Sequence, residues 1–149
     1  MNDIQQARKL LEEGHSLAIV NDGVCIYTGK GSWIHPIVEA YEVLGDALHG
    51  AAVADRIIGK AAAILCIRGR VGQVYTPIAS RAAVEAFTRA GIPMTCDTQV
   101  EGIMSRSGTG LCLAEKALMD LEELDEAFYA LWKLLGKSLP ADKGKGSTA

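Results

Sequence analysis

Val53-Ala54-Asp55-Arg56-Ile57-Ile58-Gly59-Lys60-Ala61-Ala62-Ala63-Ile64-Leu65-Cys66 is apolar on nearly every side, yet it carries Asp55, Arg56 and Lys60. An all-round apolar pattern of this length predicts a buried helix. The helix is expected to run into a short strand from about Ala63 to Ile67. Charges on a buried helix need partners or must line a pocket. At about 100° per residue, Lys60 falls among Val53, Ile57 and Ile64, with Arg56 one turn back beside it. Asp55 lies roughly 140° away, near Ile58, Gly59 and Ala62. On such a helix Asp55 and Lys60 do not pair, so each needs a partner elsewhere or a ligand. The competing reading is structural: Arg56 and Lys60 snorkel to the surface and Asp55 caps the helix start.

Upstream, Asp3 is placed to cap a helix running to about Glu13, with Ile4, Ala7, Leu10 and Leu11 on one face and Gly14 as its stop. Two short β runs follow, Ser16 to Val20 and Val24 to Tyr27. Asn21-Asp22-Gly23 between them is a hairpin turn signal. Thr28 to Ser32 is a loop, and Pro36 opens a second helix whose stripe is Ile37, Tyr41, Leu44 and Leu48.

Downstream of the central stretch, Arg68-Gly69-Arg70 turns the chain and Val71 to Thr76 reads as a short strand. Ser80 caps a helix to about Ala90, with Ala83, Val84 and Phe87 inward and Gly91 as stop. Met94 to Asp97 reads as a strand. Leu111 to Leu135 reads as helical, broken near Asp120 to Asp125. Leu139 to Ala149 reads as a flexible tail, which leaves one domain over residues 1–138. This alternation predicts an α/β fold in three layers, a central sheet with helices on both faces.

The bulk numbers narrow the function classes. The chain has 149 residues, 49% hydrophobic and 22% charged, as in a soluble globular domain. Its net charge of −3 gives no basic footprint for nucleic acid, and aromatics at 5% offer no stacking platform. No apolar run approaches a membrane span, and no basic-then-apolar leader opens the chain. The cytoplasm is the default location. Cys25, Cys66, Cys96 and Cys112 form no C-x-x-C pair and no zinc-finger spacing, so they are expected as reduced thiols. Cys25 and Cys66 stand in strand-like runs and are expected as small buried hydrophobes.

Two glycine-rich stretches invite a phosphate reading. A Walker A loop would need glycine at position 24, which is Val24, and Ser or Thr after Lys30, where Gly31 stands. Gly108-Thr109-Gly110 has two of the three Rossmann glycines and lacks the surrounding strand-turn-helix unit. Both matches fail. Gly108 to Gly110 still leads into a helix, where free N–H groups favour an anion, and Arg106 and Ser107 stand just upstream. The structural alternative there is a capped turn, with Glu115 reaching back as half of a capping box. Cys112 lies near the same helix start, where a thiolate is favoured. The alternative is a small core residue. His35 precedes Pro36 at a helix start, where a ligand contact or a surface cap are both open.

The order of elements resembles the cytidine-deaminase-like fold. That resemblance implies a zinc signature at two helix starts: His/Cys-Ala-Glu at the second helix, and Pro-Cys-x-x-Cys at the third after a strand. Set against Val53-Ala54-Asp55-Arg56 and Pro77-Ile78-Ala79-Ser80-Arg81, the scaffold residues Ala54 and Pro77 match. The ligands do not. Val53, Ile78 and Arg81 cannot bind zinc, and Asp55 is one methylene shorter than the acid/base glutamate. Ala54 to Ala63 together with Arg106 to Glu115 resemble the prokaryotic family named domain of unknown function 1893, which implies the deaminase-like fold without zinc.

The resulting expectation is a zinc-free protein without a cofactor that binds a small, anionic molecule. The expected site combines Asp55, Lys60 and the loop Arg106, Ser107, Gly108, Thr109 and Gly110. In a catalytic version Asp55 is the acid/base, and Lys60 or Arg106 stabilises negative charge. A thiol enzyme or redox sensor using Cys112 or Cys66 is the second reading, and a non-catalytic regulatory subunit the third. Nucleic-acid and membrane partners are not expected, and self-association is left open.

Overall fold

The computed structural model describes residues 1–105 and 111–138. Arg106, Ser107, Gly108, Thr109 and Gly110, and the tail from Leu139 to Ala149, lie outside the described residues.

Helix α1 spans Asp3–Glu12. Its cap is Asn2, one residue before the expected Asp3. The Asn2 side chain accepts from the Gln5 N–H, and the Gln5 side chain accepts from the Asn2 N–H, each at 3.0 Å. This reciprocal pair satisfies two orphan donors. Asp3 is thereby free for another task. Its carboxylate accepts from the N–H groups of Asp22 and Gly23, both at 2.9 Å, and ties α1 to the hairpin turn. That turn joins β1 (Leu17–Asn21) to β2 (Val24–Gly29). Asp22 at φ 52° and Gly23 at φ 80° are both left-handed, as a two-residue primed hairpin turn requires.

Helix α2 (His35–Leu44) opens with Pro36 in its first turn and ends in a 3-10 turn, Gly45–Leu48. The central stretch then departs from the expected helix. It forms strand β3 (Ala52–Asp55), a bend at Arg56, the two-residue strand β4 (Ile57–Ile58) and helix α3 (Lys60–Arg68). A strand buried on both faces is as apolar all round as a buried helix, so the pattern alone does not choose between them. The expected strand near Ala63 to Ile67 is part of α3 instead. Strand β5 (Gln73–Ser80), α4 (Arg81–Ala90), β6 (Met94–Val100), α5 (Leu113–Leu118) and α6 (Leu124–Leu134) follow.

The six strands make one mixed sheet. β1 is antiparallel to β2 and to β3, whereas β3, β4 and β6 are parallel to β5. β6 runs along one edge of β5 from Val74 to Ser80, so β3 and β4 share the other edge. They keep the same register there, Ala52 opposite Gln73 and Ile57 opposite Ile78. They are one strand interrupted at Arg56. Pro77 of β5 falls in the gap between the two and is also skipped by the β6 ladder. A proline lacks the N–H that a central strand must donate, so the break sits where the donor is missing.

Alternate residues serve opposite faces. Leu17, Ile19, Val53 and Val74 join the larger core under the helices that follow β2. Ala18, Val20, Ala54 and Tyr75 pack against Ala7 and Leu11 of α1. The protein is therefore α/β with helices on both faces. Among the described residues, no helix is long and apolar enough to cross a membrane.

Candidate functional site

The starts of α2 and α3 meet at the wall of a cavity of about 470 Å³. Trp33, Ile34 and His35 supply one side, and Ile57, Gly59 and Ala61 another. The segment Ile103–Ser105 and the residues Cys112 to Glu115 close it. Trp33 has a left-handed φ of 57°, and its ring meets the His35 ring edge-on at 5.1 Å. The wall is mainly apolar, and its ionisable side chains among the described residues are His35, Cys112 and Glu115.

Glu115 organises this wall. It is 6% exposed, and its Oε1 accepts a hydrogen bond from the Lys60 backbone N–H. Gly59, the N-cap of α3, has no side chain to cap that helix. The carboxylate of α5 fills the role, where the positive end of a helix favours an anion. The α5 helix is seated in turn by Cys112. Its Sγ accepts from the Glu115 N–H at 3.4 Å, and its own N–H donates to the Ile103 carbonyl at 2.9 Å. A Cβ on Gly59 would collide with the Glu115 carboxyl and stand 2.9 Å from Ile103 Cγ1. Glycine there is a requirement of close approach. The sequence reading gave Glu115 a local capping role. The available signal was a glycine N-cap before Lys60, which demands a capping group from elsewhere.

The residues expected to act together are dispersed. Asp55 ends β3 and is buried, 8% exposed. Its carboxyl is pushed up to about 7 by burial, against the opposing effect of hydrogen bonds from the Ile57 and Arg56 backbone. It belongs to the strand break, and it does not cap a helix. Lys60 offers only its backbone to the cavity wall. Its side chain enters a separate cleft between α3, α4 and α6. Arg56 is exposed, and its guanidinium donates to the His15 carbonyl at 3.0 Å. Cys112 is buried and lines the cavity.

Cys66 is on α3 rather than a strand and is buried in the core. Burial first, and then the charge of nearby Asp55, push its thiol up. Cys25 corrects a further expectation. It lies in edge strand β2 and is exposed. Cys96, on β6, is half-buried.

The helix starts also correct the register of the deaminase comparison. Val53-Ala54-Asp55 lies in β3, and Pro77 to Ser80 in β5. The second and third helices open at His35 and Lys60. The residues there are Trp33-Ile34-His35-Pro36 and Ile57-Ile58-Gly59-Lys60. They supply one imidazole and no thiol. Among the described residues, no three His, Cys, Asp or Glu side chains converge where a metal could sit. This donor set does not fit a catalytic zinc.

No curated protein matches the sequence. The crystal structure of a DUF1893 family protein from Thermotoga maritima is similar at 24% identity and a TM-score of 0.82, with 89% of each chain covered. A RibD structure from Acinetobacter baumannii is similar at 21% identity and a TM-score of 0.46, over 62% of this chain and 33% of that one. A diaminohydroxyphosphoribosylaminopyrimidine deaminase/5-amino-6-(5-phosphoribosylamino)uracil reductase from Thermotoga maritima gives 19% and 0.43, over 78% and 40%. These two likenesses are too loose to carry a reading of this chain. Residues 6–135, nearly the whole of the described sheet and its helices, match the domain of unknown function DUF1893, and the chain belongs to that family.

Proposed function

We propose that the protein binds a small, flat molecule in the cavity between the starts of α2 and α3. The observation that carries this is Glu115, a buried carboxylate set in a mainly apolar wall. An apolar pocket with a few placed polar groups is the usual form of a small-molecule site. One Glu115 oxygen is engaged by the Lys60 N–H. The other has no hydrogen bond among the described residues and can accept from a ligand N–H or O–H. Trp33 and His35 offer ring surface to the body of the ligand. An anionic substituent on the ligand is assigned to Arg106, the next residue in the chain after the wall residue Ser105. In this reading Cys112 is a wall residue that seats α5, and Lys60 acts through its backbone.

A thermal-shift screen tests it with flat heteroaromatic amides and amines, each with and without a carboxylate. A ligand at a hundred times its Kd stabilises the folded state by about 2.7 kcal/mol. The expected result is a concentration-dependent rise in Tm that is lost in Trp33→Ala and in Glu115→Gln. A panel without any shift, or a shift that survives both substitutions, refutes the assignment. A carboxylate preference that persists in Arg106→Gln refutes the anionic part alone.

A further inference from the structure

We infer that the ligand of the cavity between the starts of α2 and α3 meets Glu115 with a planar cation, an amidinium or guanidinium group. This rests on the small-molecule reading of that cavity and adds the charge of the part that faces Glu115. The anionic substituent of that reading belongs to a different part of the same molecule.

Among the described residues, the cavity lining holds one carboxylate, Glu115, and no lysine or arginine. Glu115 is 6% exposed. Its Oε1 accepts from the Lys60 N–H at the start of α3, a helix end that favours an anion. The Lys60 ammonium also feels this carboxylate, but Lys60 does not line the cavity. Neither effect places a cation at the wall. A ligand seated there takes the carboxylate further from water. That cost is offset by a cation that also donates hydrogen bonds, and less fully by a neutral donor.

The wall selects the shape of the cation. Trp33 is 38% exposed, and its ring is set edge-on to His35 at 5.1 Å. An indole face attracts a cation. Glu115 offers Oε2 and a second lone pair on Oε1 as acceptors. A planar, delocalised cation suits both partners, because its in-plane N–H groups fork onto a carboxylate and its face lies on a ring. An alkylammonium is compact and strongly hydrated, and has no face to stack.

The probes are benzamidine, benzamide and benzoate, which share a shape and differ in charge. They are titrated into the full chain by thermal shift and by NMR of ¹³C-labelled glutamate. Benzamidine is expected to raise Tm and to move the Glu115 Cδ resonance. It is expected to bind at least about tenfold tighter than benzamide, the smallest effect typical of a close charge pair at a binding site. Benzoate is expected not to bind. Glu115→Gln, which keeps an oxygen to cap α3, is expected to abolish the benzamidine shift. Benzamide or benzoate binding as tightly as benzamidine would overturn the cationic class and leave the flat-molecule reading standing. No shift with benzamidine would also overturn the cation, and the neutral members of the screening panel then decide the small-molecule reading by themselves. A benzamidine shift that survives Glu115→Gln, or that leaves the Glu115 resonance still, would place the cation elsewhere and overturn the assignment. That resonance decides the question even if Glu115→Gln does not fold.

Discussion

Replacing Asp55 by asparagine tests the physical account of the strand break. In the folded chain burial raises this carboxyl from the ordinary 3.8 to about 7. Between those values the unfolded chain has released the proton and the folded chain still holds it. The folded state then binds more protons, so stability falls as pH rises. The contribution is complete below 3.8, declines through the interval, and is gone above about 7. At 1.36 kcal/mol per pH unit the whole interval is worth on the order of 4 kcal/mol, and more than half of it falls between pH 5 and pH 8. Asparagine cannot ionise, so Asp55→Asn removes this decline. It also leaves one oxygen to face the Arg56 and Ile57 N–H groups, at a cost of about 1–3 kcal/mol that does not depend on pH. The variant should be the less stable protein at pH 4, and the gap should close or invert by pH 8. Urea unfolding of both proteins at several pH values measures this, because the other titrating groups cancel in the difference. Parallel stability profiles would show that Asp55 is not titrating from a buried, neutral state.

Two further outcomes follow from burial and close contact. Brief alkylation near neutral pH should label Cys25 first, since it is exposed on an edge strand. Cys66 and Cys112 should label only on unfolding, because reaction needs an accessible thiolate; peptide mapping that finds Cys112 labelled first would restore the thiol reading. Gly59→Ala should cost about 1–3 kcal/mol in urea, as overpacking against the pinned Glu115 carboxyl and Ile103. A loss within the usual surface range of about 0.5 kcal/mol would show that the carboxylate does not sit over Gly59.

Elements with local causes were legible in the sequence. The Ser80 hydroxyl accepts from the Ala83 N–H at 3.2 Å, and Gly91 is left-handed at φ 73°, so α4 starts and stops where its own residues say. The hairpin turn at Asp22-Gly23 is legible for the same reason. The central stretch was not, because its apolarity comes from burial on two sides. β3 is sandwiched between α1 and the helical layer while paired to β1 and β5. Nothing within the segment records those neighbours. Gly59 and Pro77 did mark the two places where a continuous element fails. Gly59 ends the strand as the extended N-cap of α3, and Pro77 marks the gap between β3 and β4.

The site was harder to read for a related reason. Lys60 and Glu115 stand 55 residues apart in sequence, and their contact joins a backbone donor to a side-chain acceptor. Sequence reasoning weighs Lys60 by its ammonium and so looks for a carboxylate to pair with the side chain. In the fold the two parts of this residue diverge. Its N–H is held by Glu115 at the first cavity, while its ammonium lies in the second cleft beside Arg89. Lys60 itself does not line the first cavity, although Glu115 there acts on its charge. That is why Lys60, weighed in the sequence by its charge, meets the cavity through its backbone N–H on Glu115. The two parts of the residue can be separated: Lys60→Met removes the ammonium and leaves the N–H that holds Glu115. Cavity binding is expected to survive in that variant, and its loss with the fold intact would show that the ammonium, and not the backbone N–H alone, serves the cavity.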